Sequence, residues 1–159
     1  MANEAETDEV RKWHRRFAAE CNNLTWDLIE LSARNEADGQ RMLQAAHAAT
    51  FHWSVVGTAL NVARAELTLA RAYAVLGVGR PALFYAERFC HYCEANPVAD
   101  WDKVFAQVAL AHAAALLGDS ETHRRSYEAA TRAIAAIAGE GDRKVVQADL
   151  SRVPKPSPG

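Results

Sequence analysis

The chain is poor in cysteine, proline and glycine, and each shortage excludes something. Three cysteines in 159 residues cannot all pair with one another, and a chain of this length needs no disulfide framework to fold. A reducing, cytoplasmic setting is the natural expectation. Only five prolines and eight glycines punctuate the chain, and three of those prolines and two of those glycines lie at or after Gly141. Neither sign of charge dominates: 18 basic against 20 acidic residues give a formal net charge of -2. A nucleic-acid partner is not expected, because such binders carry a basic excess or patch. There is no run of about 18 apolar residues to cross a membrane. The opening Met1-Ala2-Asn3-Glu4-Ala5-Glu6 is acidic and polar, the opposite of a secretory leader. Catalytic signatures are missing too: no G-x-S-x-G, no P-loop, no G-x-G-x-x-G. Gly77-Val78-Gly79-Arg80 lacks the third glycine and a preceding strand.

What the chain has in quantity is alanine, about a fifth of all residues. Alanine is the best helix former and a poor strand former. Stretches such as Ala111-His112-Ala113-Ala114-Ala115-Leu116-Leu117 hold no β-branched residue and no alternation. Half the residues are apolar, enough for a sizeable core. The fold class expected is all-α.

Apolar spacing and turn residues divide the chain. Residues 1–7 are expected to be disordered, 8–152 to form one helical domain, and 153–159 to be a disordered Pro-rich tail. A first helix runs from about Asp8 to Arg34 on a stripe of Val10, Trp13, Phe17, Leu24, Leu28 and Leu31, with a bend or a split expected at Asn22-Asn23. After a turn with Asp38 as N-cap, a second helix carries Leu43, Ala46, Ala49, Trp53 and Val56. Thr58 caps a third that stops near Leu76. Pro81 opens a fourth, Ala82 to Ala95, apolar or aromatic nearly all round. A fifth spans Asp100 to Gly118. A sixth follows Asp119 or Ser120, and a short last helix ends near Leu150.

Paired helices joined by glycine turns call for a repeat search. Leu69-Ala70, Tyr73, Gly77 and Ala82 align with Leu110-Ala111, Gly118, Tyr127 and Ala130. The two glycines are 41 positions apart. Each set offers a small residue at a close helix crossing, a turn glycine and a large residue beneath. Over roughly residues 38–138 this spacing resembles the tetratricopeptide-repeat superfamily, although Glu66 and Gln107 stand where that repeat favours a large apolar residue. Ala46-His47 through His52-Trp53, with Asn61, Arg64-Ala65-Glu66 and Tyr73-Ala74-Val75-Leu76, is also similar to a group of short, uncharacterised bacterial helical proteins, which lends no site residues. The superfamily resemblance implies three antiparallel hairpins in a short stack or compact bundle, plus the short C-terminal helix. It also implies binding: a concave face that receives a peptide, a partner helix or the chain's own terminus.

Glu66 is the most informative single residue. Val62, Glu66, Leu69, Tyr73 and Leu76 share one helical stripe, so this carboxylate stands among residues that should be buried. Burying it needs a partner: Arg64, Arg71, Arg88 or a histidine. A structural ion pair is one reading; a general base or metal ligand is the other. His47 and His52 are five positions apart, about 140° around a helix, so one helix cannot bring both to a metal. They read as boundary histidines, or as pocket-wall residues beside Phe51 and Trp53. His112 lies in the stripe Phe105, Ala109, His112, Leu116. With Glu66 these histidines leave a divalent metal open, though no Glu-x-x-His of the ferritin-like kind occurs. Cys90-His91-Tyr92-Cys93 sits late in a helix with no βαβ context, and reads as buried, inert thiols rather than a redox or zinc motif.

The leading expectation is a small binding protein. Arg64 and Arg71, seven apart and on one face, would contact a carboxylate or phosphate. Asn61, Trp53, Tyr73, Tyr85 and Arg88 complete the candidate ligand set. Its ligand would be a partner peptide or protein, or a small anionic or aromatic molecule, with no cofactor called for. The alternative is an enzyme using Glu66, His47 and His52 inside the bundle, with His112 as a further metal candidate. The apolar fourth helix motivates a homodimer.

Overall fold

The computed structural model describes residues 4–157. Among them it has seven α-helices and no strand. They are α1 (Glu4–Glu30), α2 (Glu36–Val56), α3 (Ala59–Val75), α4 (Gly79–Ala95), α5 (Asp100–Leu117), α6 (Ser120–Ala136) and α7 (Glu140–Leu150). The all-α expectation holds. None of these helices is long and apolar enough to cross a membrane.

The boundaries have local causes. Asn35, rather than Asp38, caps α2: its side chain accepts from the Asp38 amide, and Asp38 in turn accepts from the Asn35 amide. Thr58 and Asn61 make the same reciprocal box at the start of α3. Gly118 closes α5 with φ +75°, a left-handed conformation that only glycine adopts cheaply. Two expectations about α1 are corrected. It begins at Glu4 and ends at Glu30, not at Asp8 and Arg34, and it runs unbroken through Asn22-Asn23. Arg34 does not extend the helix but closes it. Its Nη1 donates to the carbonyl oxygens of Leu28, Ile29 and Leu31, groups a helix end leaves without partners.

Consecutive helices pack on one another in antiparallel pairs, and α3 lies in the middle, against α1, α2, α4 and α5. The main core joins Leu67, Phe89, Val104, Phe105, Val108, Ile134, Val146 and Leu150 from α3 to α7. A second cluster of Leu28, Ile29, Met42, Ala46 and Leu69 joins α1, α2 and α3. Ala70, Ala82, Ala111 and Ala130, the small residues of the repeat alignment, are all buried, which lets helices approach closely. The apolar character of α4 is explained by its place: it packs against both α3 and α5. Of its large apolar side chains, Phe84 is the exposed one.

The stripe expected on α1 is only half used. Leu28 is buried, but Val10, Trp13, Phe17 and Leu31 are exposed. The helix backbone packs on α2 and α3, Trp26 near its end reaches Phe105 of α5, and the outer side of its first half stays exposed. At the other end, the tail is not free from Val153 onward. Val153 is buried, and the Pro154 carbonyl accepts a hydrogen bond from His123 Nε2 at 2.8 Å. Disorder expected at residues 1–3 and 158–159 falls outside the described residues.

Candidate functional site

A cavity of about 560 Å³ opens between α1, α3, α5 and α7. That volume suits a small molecule of a few rings. Its walls are apolar and aromatic: Trp26, Leu67, Trp101, Phe105, Val145 and Ala148. Phe105 meets Trp26 and Trp101 edge to face, with ring centres 5.9 and 6.2 Å apart, the arrangement aromatic quadrupoles favour. Sequence spacing sets this wall, since Trp101 and Phe105 are one turn apart on α5.

Arg64 of α3 lies over the Trp101 ring, its guanidinium carbon 4.3 Å from the ring centre. Asp102 fixes it there: Nε and Nη2 donate to the two carboxylate oxygens at 2.9 and 2.8 Å. Asp102 is fully buried, whereas the Arg64 side chain keeps about a third of its surface (35%). The hydrogen bond to Asp102 holds the guanidinium firmly charged, and Nη1 is not used by the pair. One turn along α3 from Arg64, the Thr68 hydroxyl lies 2.9 Å from Asn22 Oδ1 of α1 and 3.1 Å from the Arg64 carbonyl oxygen, its one proton shared between these acceptors; the Asn22 amide nitrogen faces the same cavity wall. Lys144 of α7 and Arg152, just past its end, bring two more cations to the rim, paired with Glu140 at 2.7 Å and Asp149 at 3.6 Å, and Glu30 brings one carboxylate.

Behind this cavity sits a closed polar knot. Arg71 is fully buried, and its Nε and Nη2 donate to Asp149 Oδ2 and Oδ1, both at 2.9 Å. Its Nη1 reaches His112 Nδ1 at 3.0 Å. A guanidinium only donates, so His112 accepts through Nδ1 and is neutral. Burial, with the Arg71 charge beside it, pushes the His112 pKa down to about 3. No buried side-chain nitrogen or oxygen among the described residues lacks a partner.

The remaining residues singled out in the sequence are dispersed. Glu66 Oε1 accepts from Arg88 Nε and Nη2 at 2.9 and 2.7 Å, at the edge of an open groove between α3 and α4. His47 Nε2 meets the Tyr73 hydroxyl at 2.8 Å, and Tyr73 stacks on Tyr85. His52 is paired with His14 instead. Asn61 is occupied in its capping box, and Trp53 is half-buried at the end of α2. So Glu66, His47, His52 and His112 meet four different partners, and no group of three metal-ligating side chains converges among the described residues. Of the expected groove arginines, Arg64 lines the cavity. Arg71 points the same way but is sealed behind it by Asp149, and so is unreachable for a ligand. Cys90 and Cys93 are reduced. Burial raises their thiols to about 12 and about 11, which keeps them protonated.

Asp102 and Asp149 escaped the sequence reading, although a signal existed. Asp102 interrupts the apolar series Val98, Trp101, Phe105, and Asp149 interrupts Val146, Leu150, Val153. The reasoning that singled out Glu66 applies to both, and it pairs them with the two arginines.

The chain matches no protein-family model, no curated protein sequence and no solved structure.

Proposed function

We propose that this chain is a binding protein, built as a short tetratricopeptide-like stack of helical hairpins, whose site is the cavity between α1, α3, α5 and α7. Its ligand is a small planar aromatic acid. The observation that carries the reading is the Arg64 guanidinium held over the Trp101 ring at the wall of that cavity. A cation fixed on an aromatic face by a buried carboxylate is already ordered, so a ligand loses little further freedom in meeting it. The aromatic body of the ligand stacks among Trp26, Trp101 and Phe105. Its carboxylate is met by the Asn22 amide, Arg64 Nη1 and the rim cations Lys144 and Arg152. Bidentate or paired contacts of this kind select planar anions over point charges.

Calorimetric titration with a panel tests this. Naphthoate and indole-3-acetate are expected to bind, while the matching amides and an aliphatic acid of equal charge bind at least tenfold more weakly. Val145 is exposed at the rim, so Val145→Trp should close the mouth and abolish binding while the melting temperature stays near that of the parent. Equal affinity for acids and amides, or unchanged binding to Val145→Trp, would contradict the reading.

A further inference from the structure

His14 of α1 and His52 of α2 face each other with their Nδ1 atoms 2.8 Å apart, at the outer end of the α1–α2 pair and far along the chain from the cavity residues of α5 and α7. Both side chains are half-buried rather than sealed. Phe51 and Phe17 flank them, with ring centres 5.4 and 5.7 Å from His52, so the two imidazoles are held in place by packing as well as by the bond between them. A neutral imidazole carries one ring proton. Here that proton lies on one Nδ1 and is accepted by the other.

We infer that this pair is a binding site for a late first-row divalent ion, Cu²⁺ above all, held by Nδ1 of His14 and Nδ1 of His52. The distance decides in favour of that class. Two imidazole nitrogens at about 2.0–2.1 Å from one ion lie about 2.9 Å apart when their bonds meet at a right angle, and about 3.3 Å apart at a tetrahedral angle. The spacing of 2.8 Å is close to that of neighbouring corners of a square-planar or tetragonal site, so the helices need hardly move, while each ring turns so that its Nδ1 lone pair points at the ion and no longer at the other nitrogen. Such geometry, with imidazole ligands, belongs to Cu²⁺ and Ni²⁺, and Cu²⁺ stands at the top of the affinity order. Zn²⁺, which favours tetrahedral sites, would require the rings to part. Coordination moves the shared proton from Nδ1 to Nε2 of the same ring, so both lone pairs face the ion and no net proton is released. Water or a second molecule takes the other positions, because among the described residues no third His, Cys, Asp or Glu side chain converges there.

Titration of the full chain with CuCl₂ tests the site, followed by tryptophan fluorescence and by electron paramagnetic resonance. One equivalent is expected to bind, with hyperfine structure from two equivalent nitrogens and quenching from nearby Trp13 and Trp53. His14→Ala and His52→Ala should each weaken binding at least tenfold, and His14→Gln, which keeps the side chain's bulk, should do the same. His91→Ala, at an exposed histidine on α4, should leave it unchanged. Circular dichroism melts show whether each variant is folded. Binding that survives His14→Gln in a folded protein, a one-nitrogen spectrum, or sensitivity to His91→Ala would overturn the proposal.

Discussion

His112 shows how one side chain makes the stability of the molecule depend on pH. Its folded pKa of about 3 lies well below the ordinary histidine value of about 6.5. Its contribution is therefore fully present above pH 6.5 and is lost as pH falls from there toward 3, because only the unfolded chain takes up the proton in that window. The linkage is worth about 2 kcal/mol between pH 7.5 and pH 5. Urea unfolding at those two pH values should show a loss of that order, and His112→Gln should flatten it. A parent protein equally stable at both would contradict the assignment of a neutral, accepting His112. Glu66 is the contrasting case. Its carboxylate is nearly buried, but Arg88 is half exposed (53%) and can turn to water when the pair is broken. Glu66→Gln should therefore cost about 1 kcal/mol or less. A loss above 3 kcal/mol in urea unfolding would mean that Arg88 is trapped.

At the scale of elements, the question is what holds α7. It is short, and it packs on α5 and α6. Val146 and Leu150 are buried, but the specific link to the centre of the molecule is Asp149 on Arg71. Asp149→Ala strands a fully buried guanidinium, which is expected to cost about 3–5 kcal/mol. Arg71→Met combined with Asp149→Leu removes both charges and should recover most of that loss, because desolvation opposes a buried pair. Denaturant unfolding of the single and double variants checks this, and a double variant as unstable as Asp149→Ala would contradict it. The same pair explains why the helices were legible in the sequence while the site was only partly so. Helix positions follow from local signals: alanine content, apolar spacing, the glycines at 77 and 118, and the cap residues Asn35 and Thr58. Which face of α3 stays open depends on α7, whose one tying aspartate lies 78 residues after Arg71. Spacing alone put Arg64 and Arg71 on a common face. It could not say that one of them would be covered. For α1, spacing marked a stripe but could not say that Val10, Trp13 and Phe17 would stay exposed.

For the molecule as a whole, the four tryptophans fall into two separate groups. Trp26 and Trp101 line the cavity, whereas Trp13 and Trp53 lie on α1 and α2 outside it. Each has one indole N–H, so the chain reports on its own cavity. The central claim is that a planar aromatic acid enters between α1, α3, α5 and α7 and stacks on the wall that carries Arg64. The most direct measurement is a nitrogen–proton correlation spectrum of labelled protein titrated with naphthoate. The account predicts that the indole signals of Trp26 and Trp101 move together and saturably, while those of Trp13 and Trp53 stay in place. Stationary Trp26 and Trp101 signals at saturating ligand, or movement of Trp13 and Trp53 instead, would contradict it.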